Sequence, residues 1–242
     1  MSGSPENRVA LVTGGARRVG RAIVETLAAA GFDVAFTYLH SSQEAAQLQA
    51  RIRDLGRQCI AIQADLTEPV GAAGAISRSI RGAFGRLDVL VNNASLYIPE
   101  SSPEDSRRMW AIHVESPLLL SRELAAELRA SRGHVVNMVD LLAERPWPKY
   151  LAYSASKAGL WNLTLGLARQ LAPEVTVNGI APGVVEWPDD YPPADRERYL
   201  KRVPLGRPGT PQDVAQAVRF LCTAGSYVTG QIIRLDGGRS IT

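Results

Sequence analysis

The chain has 242 residues, 45% of them hydrophobic and 21% charged, with a formal net charge of +3. This length allows one sizeable core, so we expect a single domain over residues 1–242. The basic residues are scattered and do not form the cluster expected of a nucleic-acid-binding surface. No apolar run approaches the roughly eighteen residues that a membrane helix needs. The polar N-terminus lacks the apolar core of a signal peptide, so we expect a cytoplasmic protein without a membrane partner.

Two cysteines, Cys59 and Cys222, lie far apart in the sequence and show no CxxC spacing. This spacing argues against a disulfide framework and against a zinc site. We therefore expect two reduced thiols in the core and no metal.

The first half of the chain alternates short apolar runs with amphipathic segments, which predicts strands alternating with helices. Strands are predicted at 8–13, 33–38, 58–63 and 87–91, and helices at 17–30, 42–55 and 69–84.

The second half continues this alternation. A long helical stretch is predicted at 103–130, bent near Pro117, then a strand at 134–139, a helix at 151–171 and strands at 175–180 and 232–235. Strands that alternate with helices imply right-handed crossovers. The predicted fold is α/β, a doubly wound Rossmann fold with a seven-stranded parallel sheet and helices on both faces.

One segment, residues 185–209, does not continue this alternation of strands and helices. It is rich in proline and carries a charged run at 195–202 that favours a short helix. In α/β proteins ligands bind beyond the carboxyl ends of the strands, where this segment begins. We interpret it as a substrate lid, with a plain surface excursion as the alternative.

The glycine-containing loop Thr13-Gly-Gly-Ala-Arg-Arg-Val-Gly20 lies between the first predicted strand and the first predicted helix. Backbone N–H groups and a helix N-terminus at this place can hold a pyrophosphate. The sequence therefore predicts a dinucleotide site.

Tyr153 and Lys157 stand four positions apart in a predicted helix and so share one face. A nearby ammonium favours a phenolate, and we expect it to lower the pKa of Tyr153. Asp140, where the strand at 134–139 runs out, can complete a three-residue site. The alternative is a half-buried aromatic ring beside a solvated lysine.

These motifs, in this order, resemble the short-chain dehydrogenase/reductase family, whose usual loop is Thr-Gly-x-x-x-Gly-x-Gly. Thr13, Gly14 and Gly20 match that loop, and the likeness extends over nearly the whole chain. It continues through Asp65, Asn92-Asn93-Ala94, Tyr153, Lys157, Asn178, Pro182-Gly183 and Asp236-Gly237-Gly238.

The resemblance implies an oxidoreductase with Asp140, Tyr153 and Lys157 as its catalytic group. It implies cofactor contacts at Thr13, Gly14, Arg17, Arg18, Val19, Gly20, His40, Ser41, Ser42, Asp65, Leu66, Asn93, Ala94, Ser95, Lys157, Pro182, Gly183 and Val185.

The end of the second predicted strand bears on the choice of cofactor. Many NAD sites place an acid there, whereas this strand is followed by His40, Ser41 and Ser42. These residues and Arg17 offer positive charge and hydroxyl donors to a 2′-phosphate, so NADP(H) is predicted. Ser41 or Ser42 as a helix cap is the alternative.

Three departures from the family pattern resemble the pteridine reductases and dihydromonapterin reductases. Asp140 replaces the usual catalytic Ser, Ser95 replaces a Gly, and Arg18 replaces the middle Gly of the loop. A carboxylate repels a developing oxyanion but suits protonation of a ring nitrogen. The predicted substrate contacts are Arg18, Ser95, Tyr97, Asp140, Tyr153 and Trp187.

Tyr97 is expected to sandwich a pterin ring against the nicotinamide, with a packing role on its loop as the alternative. His113 stands where the family carries an active-site Asn. We expect it either to titrate near neutrality and change the pH profile, or to be a satisfied packing histidine.

The predicted reaction is hydride transfer from NADPH to a C=N bond of a dihydropterin, with dihydrofolate as a second candidate substrate. One alternative is a generic carbonyl reductase such as a 3-oxoacyl-carrier-protein reductase. A non-catalytic NADP-sensing protein is another. Family members commonly assemble through two long helices and the C-terminal strand, so a homotetramer is expected.

Overall fold

The computed structural model describes residues 8–99, 102–187 and 192–242. Its strands are β1 (Val9–Val12), β2 (Asp33–Tyr38), β3 (Cys59–Gln63), β4 (Val89–Asn92), β5 (His134–Met138), β6 (Thr176–Pro182) and β7 (Ile232–Leu235). They form one seven-stranded sheet in the order β3-β2-β1-β4-β5-β6-β7, and every neighbouring pair is parallel.

Helices connect these strands. They are α1 (Arg18–Ala29), α2 (Ser42–Asp54), α3 (Pro69–Ala83), α4 (Pro103–Trp110), α5 (Ser116–Glu123), α6 (Ala125–Ser131), α7 (Leu151–Leu171), α8 (Pro193–Leu200) and α9 (Pro211–Thr223).

Helices cover both faces of the sheet, so the side chains that point alternately to the two sides of each strand are buried on both sides. In β1, Ala10 and Val12 pack into one apolar cluster, whereas Val9 and Leu11 pack into the other. The first cluster is covered by α1, α2 and α9, and the second by α3, α5 and α7. This arrangement confirms the predicted doubly wound Rossmann fold.

The helical stretch predicted at 103–130 is not one helix bent near Pro117. Residues Ala111–Glu115 form a π-helical turn between α4 and α5, in which the N–H of Ser116 bonds the carbonyl of Ala111. Pro117 has no N–H, so it cannot continue the α-helical pattern, and a wider turn precedes it. The prediction placed the distortion a few residues too late.

Helix α9 was not predicted. Thr210 and Asp213 form a reciprocal capping box at its start, and Val214, Val218 and Leu221 are buried. The helix packs against α1 and closes one face of the sheet.

The described part of the 185–209 segment contains α8, which begins two residues before the charged run predicted to be helical. Trp187 lies edge-on against Tyr199 of α8, with the ring centroids 5.4 Å apart. Residues 188–191 of the predicted lid lie outside the described residues.

Cys59 and Cys222 are buried free thiols, as predicted, and burial raises the pKa of each to about 12. Across the described ranges, we find no helix with both the length and the apolar character that a bilayer crossing requires.

Candidate active site

The loop at residues 13–20 leads from β1 into α1 and passes close to the end of β4. Gly14 adopts a left-handed backbone with a φ of 63°. A side chain at Gly20 would clash with the carbonyl oxygen of Gly14 and the amide of Asn93. Asn93 donates from its amide to the carbonyls of Thr13 and Gly14, which fixes the loop.

Helix α1 begins at this loop with an N-terminus suited to an anion. Its first turn contains no acidic residue, and Arg17 makes no side-chain capping bond in the described part of the chain. The first N–H groups of a helix lack intrahelical acceptors and carry a partial positive charge. A phosphate is a suitable acceptor for them.

Arg18 occupies the position that the family usually gives to glycine, and it keeps the glycine-like backbone with a φ of 52°. Its guanidinium pairs with Glu186 at 2.6 Å, linking the loop to the start of the 185–209 segment. A positive φ is strained for an arginine, so this loop keeps its backbone geometry at the expense of local stability.

A groove runs from this loop along the carboxyl ends of the central strands. Most residues predicted to contact the cofactor line it: Gly14, Arg17, Arg18, Val19, Gly20, Asp65, Leu66, Asn93, Ala94, Ser95, Lys157, Pro182 and Val185.

The other residues predicted to contact the cofactor lie outside the groove wall. The buried hydroxyl of Thr13 accepts from the N–H groups of Asn93 and Ala94, and so ties β1 to the chain after β4. Gly183 lines a neighbouring pocket instead. His40, Ser41 and Ser42 are outside the lining, and the side chain of Ser41 makes no capping bond to α2 within the described residues.

Asp65 and Arg17 flank the end of the groove near β2. Asp65 accepts from the N–H and the hydroxyl of Thr67, and these bonds lower the pKa of its carboxyl. Arg17 lies 3.6 Å from Glu44 of α2 with much of its side chain exposed. Its guanidinium is accessible to a further anion.

Tyr153, at the other end of the groove, meets Asp140, which lines a neighbouring pocket. The Tyr153 hydroxyl donates to Oδ2 of Asp140 at 2.9 Å, while Oδ1 accepts from the N–H of Leu142 at 2.8 Å. Loss of water around the carboxylate raises the pKa of Asp140 despite these bonds.

The expectation that Lys157 lowers the pKa of Tyr153 is wrong for this structure. Burial and the Asp140 carboxylate raise the pKa of Tyr153 well above its usual value, and a hydrogen bond with Ser95 only partly offsets them. Nζ of Lys157 donates to the carbonyl of Met138 at 2.8 Å and lies 5.7 Å from the centroid of the Tyr153 ring. Tyr153 therefore keeps its proton.

Lys157 is itself buried, with 2% of its surface exposed. Burial lowers its pKa to about 8, although the Asp140 carboxylate acts in the opposite direction. The ammonium is held in the groove without an ion pair among the described residues.

His113 lies in the π-helical turn and is bonded at both ring nitrogens. Nε2 accepts from the N–H of Leu96 and lies 2.8 Å from the Ser95 hydroxyl. Nδ1 lies 2.8 Å from the Ser156 hydroxyl, which itself donates to the carbonyl of Tyr153. These partners place the proton on Nδ1.

Of the two alternatives for His113, titration near neutrality is wrong and a packing histidine with both ring nitrogens bonded is confirmed. Burial and the Lys157 charge lower the pKa of His113 well below its usual value. Its ring contacts Tyr153 edge-on at 5.3 Å. A neutral His113 therefore positions Ser95 and Tyr153 together.

A second pocket opens beyond Asp140 and Tyr153. The predicted substrate residues Tyr97, Asp140, Tyr153 and Trp187 line it, whereas Arg18 and Ser95 line the groove. Tyr97 stacks on Tyr150 with the centroids 4.6 Å apart, and it meets Tyr153 edge-on at 4.8 Å. Tyr97, Tyr153, Pro182, Val185 and Glu186 border both cavities.

Several residues of this pocket were not predicted. They are Leu141, Leu142, Arg145, Trp147, Tyr150, Val184, Glu186, Tyr199 and Arg239. They come from chain segments far apart in the sequence, so no local motif identifies them together.

Comparisons with known proteins agree with this geometry. A family model described as enoyl-(acyl carrier protein) reductase matches residues 14–240. Pteridine reductase 1 of Leishmania tarentolae is 33% identical, over 100% of this chain and 99% of its own length. A 3-oxoacyl-[acyl-carrier-protein] reductase of Synechocystis sp. is 34% identical over 96% of each chain.

A solved structure shows the same fold. It is a blue fluorescent protein from a metagenomic library in complex with NADPH, with a TM-score of 0.90 and 34% identity over 98% of this chain and 99% of that one. The chain belongs to the short-chain dehydrogenase/reductase family. It is an oxidoreductase.

Proposed function

We propose that this short-chain dehydrogenase/reductase is an NADPH-dependent reductase of the C=N bond of a dihydropterin. The observation that carries the proposal is the pair of Asp140 and Tyr153 where the groove meets the aromatic pocket. A carboxyl group with a raised pKa, bonded to a phenol that keeps its proton, is suited to protonating a ring nitrogen.

The groove fits an NADP molecule. The uncapped N-terminus of α1 and the close approach at Gly20 suit a pyrophosphate. Arg17 and Asp65 both line the groove, and in this proposal Arg17 binds the 2′-phosphate and Asp65 accepts from the adenine amine. The likeness to a structure holding NADPH supports this cofactor. When bound, NADPH supplies the hydride.

The protein groups then have separate roles. Asp140 and Tyr153 hold the proton that the ring nitrogen takes up. Either Tyr153 donates it directly or Asp140 donates it through a water molecule. Lys157 presents its ammonium to the groove, where it can hold the ribose next to the nicotinamide. His113 and Ser95 keep the Tyr153 hydroxyl in place.

The pocket favours a flat heteroaromatic substrate. Tyr97, Trp147, Tyr150, Trp187 and Tyr199 all contribute to its wall. Aromatic rings of this kind stack on planar ligands. In this proposal the pterin displaces Tyr97 from Tyr150 or stacks upon it, while its amino-pyrimidinone edge meets the polar groups near Asp140.

The alternative is a carbonyl reductase acting on acyl-carrier-protein substrates. The matched family model and the Synechocystis relative support it. Against it stands Asp140, because a carboxylate there repels the oxyanion that forms when a ketone is reduced.

NADPH oxidation measured with dihydrobiopterin, dihydrofolate and an acetoacetyl thioester tests the proposal. We expect turnover with at least one dihydropterin and a kcat/KM for the thioester lower by a factor of about 100 or more. A preference for the thioester would establish the carbonyl reductase. Tight NADPH binding with no turnover on any of them would instead favour a sensor.

A further inference from the structure

Arg239 lies in the short turn Arg239–Ile241 that follows β7, and its side chain lines the aromatic pocket. The residue is buried, with only 8% of its surface exposed. Its guanidinium lies 5.5 Å from the ring centroid of Tyr199, another residue of the pocket wall. A charged group is therefore enclosed where substrate would bind.

Two of the three guanidinium nitrogens lack polar partners among the described residues. Nε and Nη1 of Arg239 are buried without a hydrogen-bond partner in the described part of the chain. The nearby carboxylate of Asp236 instead accepts from the N–H groups of Gly238 and Ser240. Buried charges are almost always paired, so an unpaired one requires an explanation.

Among the described residues, the other charged groups near Arg239 do not supply a counter-ion. Burial lowers the pKa of Arg239, and the positive charges of Arg202 and Arg145 lower it further, whereas Tyr199 and, more weakly, Asp236 act to raise it. Of the pocket carboxylates, Glu186 pairs with Arg18 and Asp140 is bonded to Tyr153. Arg239 therefore has no paired counter-ion among the described residues, whereas Arg145 donates to the main-chain oxygen of Thr242.

We propose that Arg239 binds an anionic group, a carboxylate or a phosphate, carried by the substrate beyond the ring that Asp140 and Tyr153 contact. The planar guanidinium matches either anion with parallel N–H bonds, and an anion would supply the missing partners of Nε and Nη1. The inference rests on the proposed function in taking the ring to be a pterin. Under this proposal Arg239 favours a pterin with an acidic tail, such as dihydrofolate, over a neutral pterin.

Steady-state kinetics of R239Q test the proposal. Relative to the wild type, we expect kcat/KM to fall about 10- to 100-fold for dihydrofolate and for a dihydroneopterin phosphate. For neutral dihydrobiopterin the change should be less than about threefold. The lysine variant R239K should recover part of the loss, and R219Q, the same change on the exposed face of α9, should have no effect.

The two anionic substrates separate the two ligand chemistries. A loss with dihydrofolate alone assigns the site to a carboxylate, and a loss with the phosphate alone assigns it to a phosphate. An equal loss for the neutral and the anionic substrates, or no loss for either anion, would overturn the proposal.

A binding experiment separates this inference from the proposed reaction. The probe is p-aminobenzoylglutamate, which has no pterin ring, and tryptophan fluorescence reports its binding because Trp147 and Trp187 line the pocket. We expect the dissociation constant to rise at least tenfold in R239Q and to stay unchanged in R219Q. If the wild type binds the probe but reduces no pterin, the proposed function fails and the anion site stands.

Thermal unfolding excludes a purely structural role. Replacing an unpaired buried charge should leave the melting temperature of R239Q unchanged or higher. A lower melting temperature with unchanged probe binding, or no saturable probe binding to the wild type at millimolar concentration, would overturn the proposal.

Discussion

At the scale of single residues, we predict that Arg17 determines the choice between NADPH and NADH. It lines the groove, and its partner Glu44 lies 3.6 Å away with both side chains partly exposed. We expect R17Q to lower kcat/KM for NADPH about 10- to 100-fold and to leave NADH nearly unchanged, because only NADPH carries the 2′-phosphate. Initial rates with both cofactors measure this.

The control for Arg17 is R21Q, which changes a neighbouring arginine of α1 that pairs with Glu25 outside the groove. It should leave both rates within about twofold of the wild type. An equal loss of kcat/KM for NADPH and for NADH in R17Q would mean that Arg17 does not bind the 2′-phosphate.

Lys157 gives a pH-dependent contribution to stability whose sign follows from its pKa. Burial lowers the folded-state pKa from 10.5 to about 8, so between these values the unfolded chain binds more protons than the folded one. The free energy of unfolding contributed by Lys157 therefore rises as pH increases from about 8 towards 10, by at most about 1.4 kcal/mol per pH unit.

Urea unfolding of the wild type and K157M at several pH values measures this contribution. The difference between the two free energies of unfolding should increase with pH over this range. The exposed Lys149 offers a matched control, since K149M should track the wild type. A flat or falling difference for K157M would contradict the lowered pKa.

Sequence reasoning predicted which three residues lie together as the candidate catalytic group, but not their electrostatics. The spacing of Tyr153 and Lys157 and the position of Asp140 after a strand placed all three at one site, because helix periodicity and parallel strand ends are local rules. The pKa of Tyr153 and the neutrality of His113 depend on burial by distant segments. Arg239 has no motif at all, since its role depends on which partners are missing in three dimensions.

At the scale of elements, the π-helical turn positions His113. It lies between α4 and α5, and Pro117 prevents a regular helix there by lacking an N–H. We expect P117A to restore an α-helical bond to the carbonyl of His113 and to rotate the ring away from Ser95. Activity should fall about tenfold while the melting temperature stays equal or rises.

Proline at the first turn of α3 provides the comparison for this prediction. Pro69 stands where its missing N–H has no intrahelical acceptor in any case. P69A should leave kcat within about twofold of the wild type. Unchanged kcat in P117A would show that the turn does not control the site.

The strands were predicted to within two residues at their boundaries, because buried parallel strands are short apolar runs between glycine-rich or polar turns. Helix α9 was missed although the pattern Thr210-Pro211-Gln212-Asp213 is a capping signal. The proline-rich segment before it has the composition of a loop, so the start of the helix was not recognised. The break in the long helix was misplaced because periodicity does not distinguish a π turn from a kink.

At the scale of the whole molecule, we predict a homotetramer. Trp110 at the end of α4 is 45% exposed and Leu165 of α7 is 37% exposed, whereas Leu120 and Leu160 are buried in the core. Exposed apolar side chains on neighbouring helices are suited to burial between subunits. Light scattering should give four times the chain mass.

A double variant W110E/L165E tests which surface is used. We expect it to dissociate the tetramer, while Y227E, a change at a fully exposed loop position, should not. A monomeric wild type would contradict the prediction outright.

The variant D140S tests most directly whether Asp140 makes the site a pterin reductase. With the wild type as reference, kcat/KM is measured for dihydrofolate and for an acetoacetyl thioester. We expect the pterin value to fall about 100-fold or more and the thioester value to rise, because a hydroxyl donor would replace the carboxylate. Unchanged pterin turnover in D140S would contradict the account.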